Sequence, residues 1–160
     1  MNKFLLIISV FLLSVSMFGQ EMPLYVAVGK DVNGVELGQK IVHSDFISKF
    51  GVPDKYRSYE SEDGLSEDYW YGKNWFHCEA NGHLTNYVLV DNRFPALTKE
   101  LTNGIRVGDE FKKIDKYGKM VFTMKDENGN DVYMLSDSDD PFILIVKNSI
   151  IVRIACDYSM

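Results

Sequence analysis

The chain has 160 residues, 46% of them hydrophobic and 25% charged, with 12 Gly, four Pro and two Cys. This is the profile of a globular domain and not of a disordered or fibrous chain. Seventeen Lys and Arg stand against 23 Asp and Glu, a formal charge of −6, which excludes a broad basic footprint for nucleic-acid phosphate and disfavours adhesion to anionic lipid.

Met1, Asn2 and Lys3 precede an apolar run over 4–18, and Gly19, Gln20 and Glu21 follow it. A positive charge, an apolar stretch shorter than a membrane span and then small or polar residues predict a secretory leader over 1–19. Cleavage is expected after Gly19, with Ser16 as the alternative. The chain beyond it is expected to be exported, without stable membrane insertion. Residues 24–28 form a possible first strand.

Ser44 offers an N-cap, Phe46, Ile47 and Phe50 an apolar stripe, and Gly51 with Pro53 a stop, so a short helix is predicted over 44–51. Strands are expected over 55–59 and 68–71 around an acidic loop, 60–67, that holds Glu62 and Asp63. Next comes a β-hairpin, 75–80 and 83–90, turning on Asn81 and Gly82 as a type I′ turn. After a connection over 94–104 the order repeats. A helix is expected over 109–118, with Phe111, Ile114 and Tyr117 as its stripe. Strands over 120–125 and 132–135 follow, then a hairpin, 142–147 and 150–157, turning on Asn148 and Ser149. The stop glycines Gly51 and Gly118 and the turn residues Asn81 and Asn148 share one offset, which predicts an internal duplication.

The expected fold class is therefore α+β, two tandem copies of a short helix on a four-stranded antiparallel meander, forming one concave sheet or two packed sheets. The copies span 20–92 and 104–160, with a linker over 93–103. A two-residue first turn pairs Ala80 with His83, Cys78 with Thr85 and Phe76 with Tyr87. Phe76, Cys78, Ala80, Tyr87 and Leu89 then pack under the helix, as do Ile143, Ile145, Val152, Ile154 and Cys156 in the second copy. The opposite face carries Trp75, His77, Glu79 and Asn86 in the first copy and Phe142, Leu144 and Arg153 in the second. Aromatic rings mixed with Arg and His on an open sheet face have the composition of interface hot spots, and Tyr69, Trp70 and Tyr71 add to it.

The chemical motifs are weaker. Cys78 and Cys156 could pair in an exported compartment, or stand as two small buried hydrophobes. His77, Cys78 and His83 are the densest ligand cluster, but the pairing puts the two histidines on opposite faces. Cys78 beside His83 would suit a thiol and its base, yet on the core side the thiol is expected to be inert. His43 has no visible partner. Asp126, Asn128 and Asn130 fit the first alternating positions of a calcium loop, but no Gly is sixth and no Glu closes it, so turn chemistry explains them and the Asp137 to Asp140 cluster. No catalytic residue, metal site or cofactor is expected.

The residues 46–53, Phe-Ile-Ser-Lys-Phe-Gly-Val-Pro, then Tyr69-Trp70-Tyr71-Gly72 and the hairpin 76–84, echoed at 107–118 and 142–154, resemble the β-lactamase-inhibitor-protein-like family, related to small outer-membrane assembly lipoproteins. The resemblance implies non-enzymatic protein binding on a concave sheet, an acidic hairpin loop placed where Glu62 and Asp63 stand, an exported or envelope protein as partner and residence in the periplasm more than full secretion. The expected binding residues are Tyr69, Tyr71, Trp75, His77, Phe142, Arg153, Glu62 and Asp63. The alternative is a carrier of a small apolar molecule or peptide in a cleft between the copies.

Overall fold

A computed structural model of the chain describes residues 30–115, 120–135 and 141–156. The expected leader, the strand over 24–28, Tyr117, Gly118, the Asp137 to Asp140 cluster and Asp157 lie outside the described residues.

The described chain is one antiparallel sheet of eight strands: β1 (Lys55–Ser61), β2 (Gly64–Tyr71), β3 (Asn74–Glu79), β4 (His83–Leu89), β5 (Met120–Lys125), β6 (Asp131–Leu135), β7 (Phe142–Lys147) and β8 (Ile150–Cys156). Their spatial order is β1-β2-β3-β4-β8-β7-β6-β5. β4 meets β8 at the middle through three pairs, Tyr87 with Cys156, Val88 with Ala155 and Leu89 with Ile154.

The α+β expectation of two helix-plus-meander units is thereby corrected to a mostly β chain. α1 (His43–Phe50) is a helix of eight residues, but the helix expected over 109–118 is a single turn, α2 (Lys112–Asp115), as far as the described residues reach. The reason is competition for backbone groups. Gly108 N–H donates to the Ile151 carbonyl, Ile151 N–H to that of Asp109 and Phe111 N–H to that of Ser149. Residues 108–111 are thus tied to the start of β8: the Asp109 carbonyl that a helix from 109 would use is taken by Ile151, and the helical bonds begin only at the Glu110 and Phe111 carbonyls, which accept from Lys113 and Ile114. α1 also starts earlier than Ser44 suggests: Val42 holds the cap position without a side-chain cap bond, and Gly51 closes the helix at φ 87°.

One face of the sheet is covered and holds the core. Phe46 of α1 stacks on Tyr69 at 4.0 Å and on Phe50 at 4.3 Å, and Phe76 meets both helix rings edge-on or tilted. In the other half Phe142, Leu144, Val146, Ile151 and Ile154 form the buried side, with Phe111 packed on Tyr133 at 4.2 Å. Irregular chain completes this layer. Val32, Val35, Ala96, Leu97 and Ile105 are fully buried, so the stretch expected as a linker contributes to the core. The Asp31 carboxylate, also fully buried, accepts from the Gly34 and Lys99 amides and the Thr98 hydroxyl, and so pins residues 31–34 to residues 98–99.

The first hairpin turns on three residues, Ala80, Asn81 and Gly82, all at positive φ, and pairs Glu79 with His83. The expected pairs Ala80–His83 and Cys78–Thr85 do not form; a bulge leaves Thr85 over and pairs Cys78 with Leu84, while Phe76–Tyr87, Trp75–Val88 and His77–Asn86 stand as the two-residue turn predicts. Gly82 is required here, because a Cβ would lie 2.8 Å from the Ile41 carbonyl oxygen. The second hairpin has the two-residue turn, with Asn148 and Ser149 at positive φ, and a bulge that leaves Val152 over. One extra residue flips everything beyond it to the other face. Phe142 and Leu144 therefore lie on the covered side with Ile154, while Ile143 and Ile145, expected in the core, face outward and are half-buried.

Phe46→Ala would remove a fully buried ring from the middle of the aromatic stack and is expected to cost about 3–5 kcal/mol, read as a lowered urea midpoint with an unchanged slope.

Candidate functional site

The open face of β1 to β4 is a shallow groove of about 570 Å³. Period-two alternation builds it, since residues that face away from α1 in four adjacent strands fall into rows. One row runs Arg57, Asp68, His77, Asn86, and the next Lys55, Trp70, Trp75, Val88, each residue the direct cross-strand partner of the one before. Tyr59 and Glu79 extend the lining beyond the first row.

The polar groups of the floor are engaged with one another. The Asp68 carboxylate, only 6% exposed as a residue, accepts from the Trp75 indole N–H at 3.1 Å, and the same oxygen lies 2.8 Å from His77 Nδ1. His77 Nε2 lies 3.1 Å from Glu79 Oε1. A neutral imidazole has one N–H, so both contacts are hydrogen bonds at once only when the ring carries two protons. The His77 ring stacks on Trp75 at 5.7 Å and on Tyr59 at 6.4 Å.

The cations of β1 lie on rings. Arg57 sits 4.4 Å from the centroid of Tyr59, and Lys55 Nζ 4.6 Å from that of Trp70. Among the described residues no ion pair engages either. The groove thus presents a rigid aromatic surface with positive heads at its β1 side and hydrogen-bonded acids at its floor. No Ser, Thr or Cys stands among the lining residues, and no group of three His, Cys, Asp or Glu among the described residues is placed to hold a metal ion.

The structure separates the expected binding residues. Trp75 and His77 line the groove together. Tyr69, Tyr71 and Phe142 are at most 2% exposed on the covered side and belong to the core, because alternation from Trp70 and the β7–β8 bulge put them there. Arg153 is exposed on β8, away from the groove. The acidic loop expected over 60–67 is mostly strand, and its tip is a two-residue turn, Glu62 and Asp63, both exposed. Glu67 is instead buried on the covered side, where its carboxylate accepts from the Tyr56 hydroxyl at 2.6 Å. Arg57, Tyr59 and Asp68 are lining residues that the hairpin-by-hairpin reading missed. Extending the Trp75 and His77 rows across β2 and β1 would have found them.

The other candidate chemistries resolve into structure. Cys78 and Cys156 form no disulfide and both thiols are buried. Burial, then the charges of Glu67 and Asp68, push the Cys78 thiol up to about 12. His83 is not its base: its Nδ1 lies 2.9 Å from the Ala80 carbonyl oxygen. His43 does have a partner, the Tyr69 hydroxyl at 3.0 Å. The Asp126 carboxylate accepts from the Asn130 side chain and from the Asn128 and Asn130 amides, a turn closed on itself, and these bonds hold its carboxyl below the usual range. Among the described residues no helix is long and apolar enough to cross a membrane.

Comparison of the chain with protein-family models, with curated proteins and with solved structures finds no match.

Two outcomes follow from the buried thiol and phenols. Cys78 in the folded chain is expected to resist iodoacetamide at pH 8 and to react once urea unfolds it, as peptide mass mapping would show; rapid native labelling would contradict the buried, protonated thiol. Burial also raises Tyr71 to about 12, from 10.0, and Tyr87 well above its ordinary value. Groups whose folded pKa lies above the unfolded one stabilise fully below the unfolded value and lose that contribution as pH rises through the folded one. Stability is therefore expected to fall between about pH 9 and 12, measured as urea midpoints across that range.

Proposed function

We propose that the chain is an exported, non-enzymatic protein-binding module, inhibitor-like or envelope-assembly-like, that docks another exported or envelope protein on the groove of its open sheet face. The observation that carries this reading is the groove itself: two tryptophans, a tyrosine, an arginine and a histidine on three adjacent strands, residue types enriched at interface hot spots. The leader-like pattern over 1–19 supports export, and the residues that resemble the inhibitor-like family support a periplasmic site of action. Trp75 is the anchor, oriented by its hydrogen bond to Asp68. Asp63, at the exposed β1–β2 turn beyond the groove lining, is the charged contact of this reading. The groove has hydrogen-bonding and charged groups on its floor, which suits a polypeptide better than the small apolar molecule of a carrier.

Mature protein immobilised and exposed to envelope extract of the source cells tests this. A protein retained by the wild type is expected to be lost with Trp75→Ala in a variant that still unfolds in one cooperative transition, and to bind more weakly with Asp63→Ala. Equal retention by wild type and Trp75→Ala would remove the groove from the binding surface.

A further inference from the structure

The sheet has two outer edges, and they differ. β5 is apolar and exposed, with Val121, Phe122 and Met124 about half accessible, but a bulge leaves Thr123 out of register and breaks the regularity of that edge. β1 pairs with β2 in unbroken register from Lys55 with Trp70 to Ser61 with Gly64. Its outer backbone groups therefore form a regular row that no described strand covers, the template onto which an extended segment can add.

The side chains of β1 select what may add. Lys55 and Arg57 stand at alternate positions and both face the groove, with their charged heads on Trp70 and Tyr59 and, among the described residues, no carboxylate partner. Side chains of an added strand on that face would stand opposite these two residues, with Cβ atoms about 5 Å apart, within reach of their long side chains. Apolar side chains would leave them unpaired, and basic ones would be repelled. Two carboxylates at alternate positions would meet them, and a planar guanidinium, here with its carbon over the Tyr59 ring, offers paired N–H groups for bidentate bonding. Asp68, the cross-strand neighbour of Arg57, accepts from the Trp75 indole, and among the described residues no ion pair joins it or Glu79 to either cation.

We propose that β1 accepts an extended acidic segment of the partner protein as a ninth strand, with carboxylates at alternate residues taken by Lys55 and Arg57. This deepens the groove reading and rests on it.

The test uses the whole mature chain and three capped synthetic peptides: four Glu-Val repeats, four Lys-Val repeats, and four Glu followed by four Val. Both tryptophans of the chain line the groove, so indole fluorescence reports binding there, and amide hydrogen exchange reports which strand is covered. The alternating Glu peptide is expected to bind saturably and to protect β1 amides, the block peptide to bind several-fold more weakly and the Lys peptide not to bind. Lys55→Ala with Arg57→Ala should weaken the first about tenfold, and Lys55→Glu with Arg57→Glu should transfer preference to the Lys peptide. Binding that is indifferent to peptide charge, protection on β5 in place of β1, no binding of any peptide, or full affinity in the double Ala variant would each overturn the proposal. Any of these, with partner retention still lost in Trp75→Ala, leaves the groove reading standing; if Trp75→Ala retains the partner too, both fail.

Discussion

Three residue pairs between β4 and β8 make one sheet of what would otherwise be two four-stranded pieces. Each piece would have an open edge in the middle of the molecule, with backbone donors and acceptors facing each other across a gap. Pairing removes both edges and aligns the covered faces, so that Tyr87, Leu89, Ile154 and Cys156 become the centre of one core. Tight closure leaves one polar group stranded: the Tyr87 hydroxyl is buried with no hydrogen-bond partner among the described residues. Such a group costs about 1–3 kcal/mol, and the ring around it is retained as packing.

The groove depends on this arrangement indirectly. A sheet with α1 and the irregular segments on one side has only its other side to offer, and that side is flat where pairing is regular and kinked where a bulge intervenes. The unbroken β1–β2 and β2–β3 registers put two tryptophans, an aspartate and a histidine in adjoining rows. Asp68 then holds the Trp75 indole N–H without a partner present. A surface organised before binding loses little side-chain entropy on association.

Strand positions were legible in the sequence, and β5 and β7 begin where the apolar runs begin and end on the lysine that follows each run. Faces were legible only as far as the registers could be counted. In β3 and β4 the count survived the bulge, because the misjudged turn and the extra Thr85 cancel by the time Phe76 meets Tyr87. In β7 nothing cancelled the extra Val152, and Phe142 and Leu144 exchanged faces with Ile143 and Ile145. The second helix failed for another reason. Its apolar stripe at Phe111 and Ile114 is real and buried or half-buried, but the pattern carries no information about the bonds that residues 108–111 make to β8. Of the candidate site, Trp75 and His77 were visible from one hairpin; Arg57 and Asp68 needed the order of strands, which no short motif encodes.

The seam also sets an order of events. β4 pairs on one side with β3, its neighbour in the chain, and on the other with β8, which arrives only after β5, β6 and β7. A contact between segments so distant in sequence is slow to form. Until it does, the edge of β4 is bare beside buried Leu84 and Leu89, a short sticky strand in a half-finished sheet. The nascent chain is thus most open to mispairing in the interval between completing its first hairpins and receiving its final strand, a period in which a holding chaperone would have the most to shield.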